Sequence, residues 1–191
     1  MIDKGAEAII KNTMMCNREL LEKERLEKTY REKILDQKLR KERTRTEARI
    51  LHKAKSAGVL CPIVYLIDNY SIYISKFDGK TLNKLKIRES ELEDMGKLLA
   101  KLHSIDIIHS DYTTANVMRT TKGTAVIDFG LSFVSARIED KANDIVTMMQ
   151  DLGVDDKKSK KVIESYIKNK GNKQVVDRSY DVLKRGRYQK N

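Results

Sequence analysis

The amino-acid order predicts an α+β chain in two lobes, the first rich in strands and the second mostly helical. Three observations predict it. Short apolar runs with weak alternation occupy the first 25 positions and return at 63–76, on either side of a stretch, 35–57, that has no Gly or Pro. An apolar stripe of helical period then follows: Leu92, Met95, Leu98, Leu99 and Leu102. Beyond position 139 three more stretches carry helical periodicity. At 191 residues the chain can form one domain or two small lobes with a real core, burying ~70% of its unfolded surface.

Taken in order, Ala6 to Ile10 and Arg18 to Lys23 read as strands, the first opened by Gly5-Ala6-Glu7-Ala8. A glycine there lets backbone N–H groups approach a phosphate, and a strand-opening turn accounts for it equally well. Leu35, Leu39, Ile50, Leu51 and Ala54 give the 35–57 helix its apolar stripe, and Gly58 marks its stop. Thr44 to Glu47 has the form of a capping box, or lies inside a longer helix. Ile63 to Ile67 and Tyr70 to Lys76, separated by Asp68-Asn69, read as a hairpin. Phe77-Asp78-Gly79 breaks the pattern and is the expected join, giving an N-lobe of 1–77 and a C-lobe of 78–191. Residues 90–104 form the clearest helix. Short strands and loops come next, then helices over about 139–152, 157–169 and 173–184.

No stretch of about 18 apolar residues exists, so a helical membrane span is not expected. The opening M-I-D-K-G-A-E has no signal-peptide hydrophobic region, so the expected location is cytoplasmic. Cys16 and Cys61 lack C-x-x-C spacing and are expected to be reduced, and buried or incidental. With only three His, a zinc site is not expected. The net charge of +11 is unevenly placed: residues 17–55 hold fourteen Lys/Arg against eight Asp/Glu, and 184–191 hold four basic residues and no acidic one. Concentrated positive charge points to a polyanionic partner. In 17–55 the interleaved signs fit a solvated face as well.

Residues 107–130 hold two phrases that carry chemistry. His109-Ser110-Asp111 is followed by Asn116, five positions after the aspartate, and Asp128-Phe129-Gly130 follows the apolar run Ala125-Val126-Ile127. Protein kinases space H-R-D-x-x-x-x-N and D-F-G in this way. A triphosphate travels with Mg²⁺, a hard cation that takes one or two carboxylate or amide oxygens beside phosphates and waters. Asn116 and Asp128 offer such oxygens, and Asp111 can accept a proton from an attacking hydroxyl or orient a water. Such a site also needs a strand lysine on the phosphates and a helix glutamate to hold it. Lys23 and Glu47 fit by position; by spacing alone, a solvated strand end and a surface carboxylate fit too. His109 is expected to be a structural loop residue. Asp144, placed on the helix face opposite Ile145 and Val146, either braces the catalytic loop or is solvated. Tyr30 and Arg31 are candidates for a partner or nucleotide surface.

On G-A-E-A (5–8), K-E-R-x-x-K-x-Y-R (23–31), Leu35-Asp36, R-T-x-x-E-A-R (43–49), Gly58-Val59 with Pro62, L-H (102–103), I-I-H-x-D-x-T-T-x-N (107–116), I-D-F-G-L-S (127–132), E-D-K-A-x-D (139–144) and R-G-R (185–187), the chain resembles the small protein kinase subunit of the KEOPS (EKC) complex, related to the Rio kinases. The resemblance covers nearly the whole chain, and D-x-T-T-x-N and E-D-K-A are its most specific parts. It implies a minimal bilobal protein-kinase-like fold: a β-rich N-lobe with one main helix and a reduced, mostly helical C-lobe. It implies Lys23 as the ATP lysine, Glu47 as its helix partner, Asp111 as the catalytic aspartate, and Asn116 and Asp128 as Mg²⁺ ligands. Gly5 and the backbone of Ser75, Lys76 and Phe77 would complete the ATP site. The implied activity is that of a Ser/Thr kinase and ATPase in the complex that makes N6-threonylcarbamoyladenosine in certain tRNAs. The C-lobe would meet the catalytic subunit and the N-lobe a small regulatory subunit. The basic tail, with Arg185 and Arg187, would approach the tRNA.

The chain departs from that family in places. The usual H-G-D is H-S-D, the Leu after the aspartate is Tyr112, and two prolines are Glu27 and Lys33. No proline follows Pro62, and 63 residues follow Asp128. The A-P-E platform on which ordinary kinases dock peptides is therefore expected to be missing or reduced. That favours ATP hydrolysis within a complex, or phosphorylation of itself or a bound partner. Two alternatives stand beside this reading. One is a small-molecule kinase, for whose large helical substrate lobe there is little room. The other is a non-catalytic kinase-like scaffold bridging protein and tRNA.

Overall fold

The computed structural model describes residues 3–4 and 8–188, with side chains from 8 to 185. Its first half is a five-stranded antiparallel sheet covered by one long helix. A two-residue stretch, β1 (Asp3–Lys4), lies beside β2 (Ala8–Met15), which pairs with β3 (Arg18–Arg25) from Ala8 opposite Arg25 to Met15 opposite Arg18. Both strands outrun their apolar content. The reason is the turn: Cys16 and Asn17 have φ of 47° and 58°, the left-handed pair whose twist suits a two-residue hairpin. One face of the hairpin is partly solvated, so polar residues extend it without leaving an apolar trace.

β4 (Val64–Ile67) and β5 (Ser71–Ser75) complete the sheet in the order β1-β2-β3-β5-β4. The hairpin expected at 63–76 is present, and it sets Ile72 opposite Lys23. The long helix α1 (Lys33–Ser56) starts ahead of its apolar stripe, because the Glu32 carboxylate accepts the N–H groups of Ile34 and Leu35. Thr44 to Glu47 is therefore no capping box: Thr44 sits mid-helix and donates to the Arg40 carbonyl at 2.8 Å. The end falls where glycine predicts it. Gly58, at φ +80°, donates to Lys55 O, and Val59 donates to Ala54 O, which satisfies the last carbonyls by a Schellman motif.

The expected join at 77–79 is shorter than its sequence, since Gly79 already opens β6 (Gly79–Thr81). A single 3-10 turn, Leu82–Lys84, and α2 (Glu89–Ser104) follow, then β7 (Ile107–Ile108), β8 (Val117–Thr120), β9 (Gly123–Val126) and β10 (Phe133–Val134). β6, β8 and β9 form a small sheet, and β7 pairs with β10. A Cβ at position 79 would stand 2.0 Å from the Arg119 carbonyl oxygen on β8, so the crossing admits only glycine. The helices α3 (Ile138–Leu152), α4 (Lys157–Lys168) and α5 (Lys173–Tyr188) close the chain. α4 lies on α2 at Gly96, where a Cβ would meet Val162 O at 2.3 Å, and α5 lies on α3.

A single buried cluster runs through both halves, from Ile50, Leu51, Ala54 and Ile72 to Met95, Leu99, Leu102, Phe129 and Ile145. Cys61 is wholly buried, and burial pushes its thiol up to about 11; Cys16 is exposed at its turn. No helix among the described residues is long and apolar enough to cross a membrane.

Candidate active site

Lys23 sits mid-strand on β3, 8% exposed, with its ammonium in the cleft between the two halves. It donates to Glu47 Oε1 of α1 at 2.7 Å and to Asp128 Oδ1 at 2.6 Å. Arg25, two residues along and so on the same face of the strand, donates to the other oxygen, Glu47 Oε2. One buried carboxylate thus takes two cations from a single strand. Burial alone would lower the Lys23 pKa, but the charges of Glu47 and Asp128 outweigh it and hold the ammonium above its ordinary value. Burial raises the Asp128 carboxyl, while Lys23 and the Gly130 N–H outweigh that and hold it below the ordinary carboxylate range.

These directions set a pH dependence. Asp128, lowered on folding, contributes stability that is present above its unfolded value and lost as pH falls through its folded one. Lys23, raised, contributes stability that is present below its unfolded value and lost as pH rises through its folded one. Because burial also holds the His109 imidazole below its ordinary value, the urea midpoint is expected to be flat between roughly pH 7 and pH 9 and to fall on both sides. Asp128→Asn should flatten the acid limb relative to wild type. Superimposable acid limbs in paired urea titrations would contradict it.

The loop after β7 supplies the next residues. Asn116 Nδ2 donates to the Asp111 carbonyl at 2.9 Å and to its Oδ2 at 2.7 Å. With the amide nitrogen committed to Asp111, Oδ1 is the atom left for a cation. Asp144, expected either to brace this loop or to be solvated, is 0% exposed. Its two oxygens accept from the backbone N–H groups of His109 and Ser110, each at 2.7 Å, and His103 Nε2 lies 3.3 Å from Oδ2. That clamp fixes Ser110 at φ +67°. His109 is wholly buried and donates from Nε2 to the Ile127 carbonyl at 3.1 Å; burial pushes its imidazole down. The ring packs between Tyr112 and Phe129. Tyr112, a departure from the resembled family, is fully buried and donates to Met95 O at 2.8 Å.

The cleft measures about 430 Å³. Leu21, Leu51, Ile74, Met118 and Ile127 make an apolar slot, with Lys23, Asn116 and Asp128 at its polar end. A flat heteroaromatic ring on a phosphate chain has this division of character. Ser75 and Phe77 line the slot, but the Lys76 side chain does not: it turns out to Glu19 at 3.2 Å. Gly5 lies outside the described residues. Arg185 is exposed on α5, and the side chain of Arg187 lies outside the described residues. Among the described residues no group of three or more His, Cys, Asp or Glu is gathered as a metal site. Asn116 with Asp128 fits Mg²⁺ instead, which takes few side chains and relies on phosphates and water. Arg25 was missed by sequence reasoning; its position two residues beyond Lys23 was the available signal.

Residues 6–152 match the RIO domain family. The chain belongs to that family. This RIO domain is 38% identical over 198 residues to a "Probable bifunctional tRNA threonylcarbamoyladenosine biosynthesis protein" of Methanococcus maripaludis, covering 98% of the chain and 36% of the relative. It is 34% identical over 193 residues to the protein so named in Methanosphaera stadtmanae, covering 97% and 36%. A "Probable serine/threonine-protein kinase BUD32 homolog" of Archaeoglobus fulgidus is 31% identical over 149 residues, covering 76% of each. The chain spans about a third of the length of the bifunctional relatives. Among solved structures, the Rio2 kinase of Chaetomium thermophilum, a complex with ADP/Mg²⁺-phosphoaspartate, superposes with a TM-score of 0.70 at 11% identity, over 99% of this chain and 70% of that one. The α+β, kinase-like fold read from the sequence is the fold observed, and the resemblance to the Rio-related KEOPS kinases holds.

Proposed function

We propose that this RIO domain is an ATP- and Mg²⁺-dependent phosphotransferase and ATPase. It acts as the kinase subunit of a KEOPS-type complex that makes threonylcarbamoyladenosine in tRNA, with an N-lobe of 1–77 and a C-lobe of 78–191. The observation that carries the reading is Lys23, bonded at once to Glu47 and to Asp128 across the cleft. The relatives' names support the tRNA modification and the Ser/Thr acceptor.

In this reading Glu47 holds Lys23 toward the phosphates, and the apolar slot with the Ser75 to Phe77 backbone receives adenine. Asn116 and Asp128 would hold Mg²⁺, which would neutralise the phosphate charge. Asn116 takes one oxygen of Asp111 and so orients the other to accept the proton of an attacking hydroxyl, or to position a water. The C-lobe docks the catalytic subunit and the N-lobe the small regulatory subunit. The tail at 184–191, with Arg185 and Arg187, meets tRNA, and the complex works in the cytoplasm.

The test is ATP turnover by the chain, alone and with the catalytic subunit and tRNA. Asp111→Ala is expected to slow it by ~10²–10⁴-fold with an unchanged unfolding midpoint. Equal phosphate release by wild type and variant would leave the non-catalytic scaffold as the function.

A further inference from the structure

β4 is the outer strand of the five-stranded sheet, so among the described residues one row of its backbone groups has no partner strand. Its sequence is V-Y-L-I, preceded by Ile63. Ile63, Tyr65, Leu66 and Ile67 are each between 43% and 47% exposed. Edge strands are ordinarily blunted by lysine, proline, an inward charge or a β-bulge; residues 63–67 hold none of the first three, although Pro62 stands just before them. A register shift between Val64 and Leu66 disturbs the alternation, so apolar side chains show on both faces of the edge. An apolar, unpaired edge of this kind is an aggregation hazard unless something covers it.

Beside the edge runs a groove of about 690 Å³, walled by β4 on one side and by Arg45, Ala48, Arg49 and His52 of α1 on the other. Arg45, Arg49 and His52 stand at i, i+4 and i+7, on one face of the helix. All three are exposed, and none has an ion-pair partner among the described residues. A further cation, Arg18, lies over the Tyr65 ring and donates to its hydroxyl at 3.3 Å. Asp68, at the end of β4, is turned into its own loop, where it accepts the Asn69 N–H. Glu47 points from the opposite side of α1, so the groove is separate from the ATP cleft.

We infer that the β4 edge and the α1 cations together form a docking site for an extended protein segment with alternating apolar and acidic residues. The segment adds a strand to β4 through its backbone. Its apolar side chains cover Tyr65, Leu66 and Ile67, and its carboxylates meet Arg45 and Arg49. Strand addition of this kind draws affinity from main-chain hydrogen bonds and selectivity from alternate side chains. The charges decide the occupant: a second copy of this chain would bring its own Arg45 and Arg49 against the same groove, and like charges across an interface oppose pairing. The apolar wall favours a peptide over a nucleic-acid backbone. The inference deepens the reading of the N-lobe as a docking lobe, but its test needs no ATP turnover.

The probes are short capped peptides alternating valine with glutamate, the same peptides with lysine, and a single-stranded RNA oligonucleotide, each titrated into the full chain by calorimetry. The glutamate peptide is expected to bind at least roughly tenfold more tightly than the lysine peptide. It should also slow amide exchange at Leu66 and Ile67. The pair Arg45→Glu and Arg49→Glu should reverse the preference, and Leu66→Asp should abolish binding of both peptides, each variant keeping a wild-type melting curve. Equal binding of the two peptides, or binding of neither, overturns the inference. So does RNA binding lost in the arginine variants without peptide binding, or self-association lost in Leu66→Asp.

Discussion

Replacing Glu47 by alanine is expected to cost about 3–5 kcal/mol of folding free energy, the usual effect of breaking a buried ion pair from one side, and to abolish ATP turnover with it. Glu47 is 3% exposed and takes a cation on each oxygen. Lys23 would keep Asp128, but Arg25, 5% exposed, would lose the one side-chain partner it has among the described residues. Its guanidinium cannot shed its proton in response. Glu47→Gln is therefore nearly as damaging: the amide can accept on one side only, and its NH₂ group would face a donor on the other. Lowering the demand should help more than conserving the shape. Arg25→Met with Glu47→Leu is expected to recover most of the lost stability, because apolar groups of similar volume often replace a buried pair at little cost. Urea midpoints for the two single variants and the double variant measure this as a cycle. A double variant no more stable than Glu47→Ala would show that the two cations do not share this carboxylate's energy.

The pairing of Lys23 with Glu47 is not written in the sequence. A strand lysine and a helix glutamate 24 residues apart have no periodicity that ties them. Only the sheet register and the angle of α1 bring them within a hydrogen bond. The Asp111–Asn116 relation is different, since both lie on one short loop and their spacing is nearly their geometry. Asp128 falls between these cases: D-F-G was visible, but its left-handed backbone, φ +57°, was not. The helices were legible because α2 and α3 bury one stripe each, so hydrophobic spacing and burial are the same information. The hairpin of β2 and β3 was only half legible. Its far half is held by backbone pairing and a two-residue turn, and neither requires apolar side chains.

Asp144 was the residue for which sequence left the most open and packing decided the most. Helical period puts it opposite Ile145 and Val146, a position that fits bracing the loop and facing water alike. Yet α3 is covered on more than one side, by β7, α4 and α5, so the opposite face is interior too. Once buried, a carboxylate must find donors, and the nearest are the backbone N–H groups of His109 and Ser110.

Asp144→Ala is accordingly expected to lose about 3–5 kcal/mol, since it leaves the buried His109 N–H, the half-buried Ser110 N–H and His103 without their acceptor. It should also slow turnover by ~10²-fold, because it frees the loop that carries Asp111. The loss should fall on kcat more than on the KM for ATP, as Lys23, Glu47 and Asp128 stand on other elements. Amide exchange gives the direct readout: His109 and Ser110 should exchange faster in the variant, while Ile72 and Lys23 keep their protection. Asp144→Asn retains an acceptor for one of the two N–H groups and should be intermediate in both stability and exchange. Ser110 makes the argument separable from simple unfolding. Its left-handed backbone is strained for any residue with a Cβ, and the Asp144 clamp is what holds it there. Ser110→Gly removes that strain, so in the Asp144→Asn background it should return about 1 kcal/mol and part of the lost kcat. A Ser110→Gly change that leaves the Asp144→Asn enzyme as slow and as unstable as before would mean that the clamp does not act through this backbone.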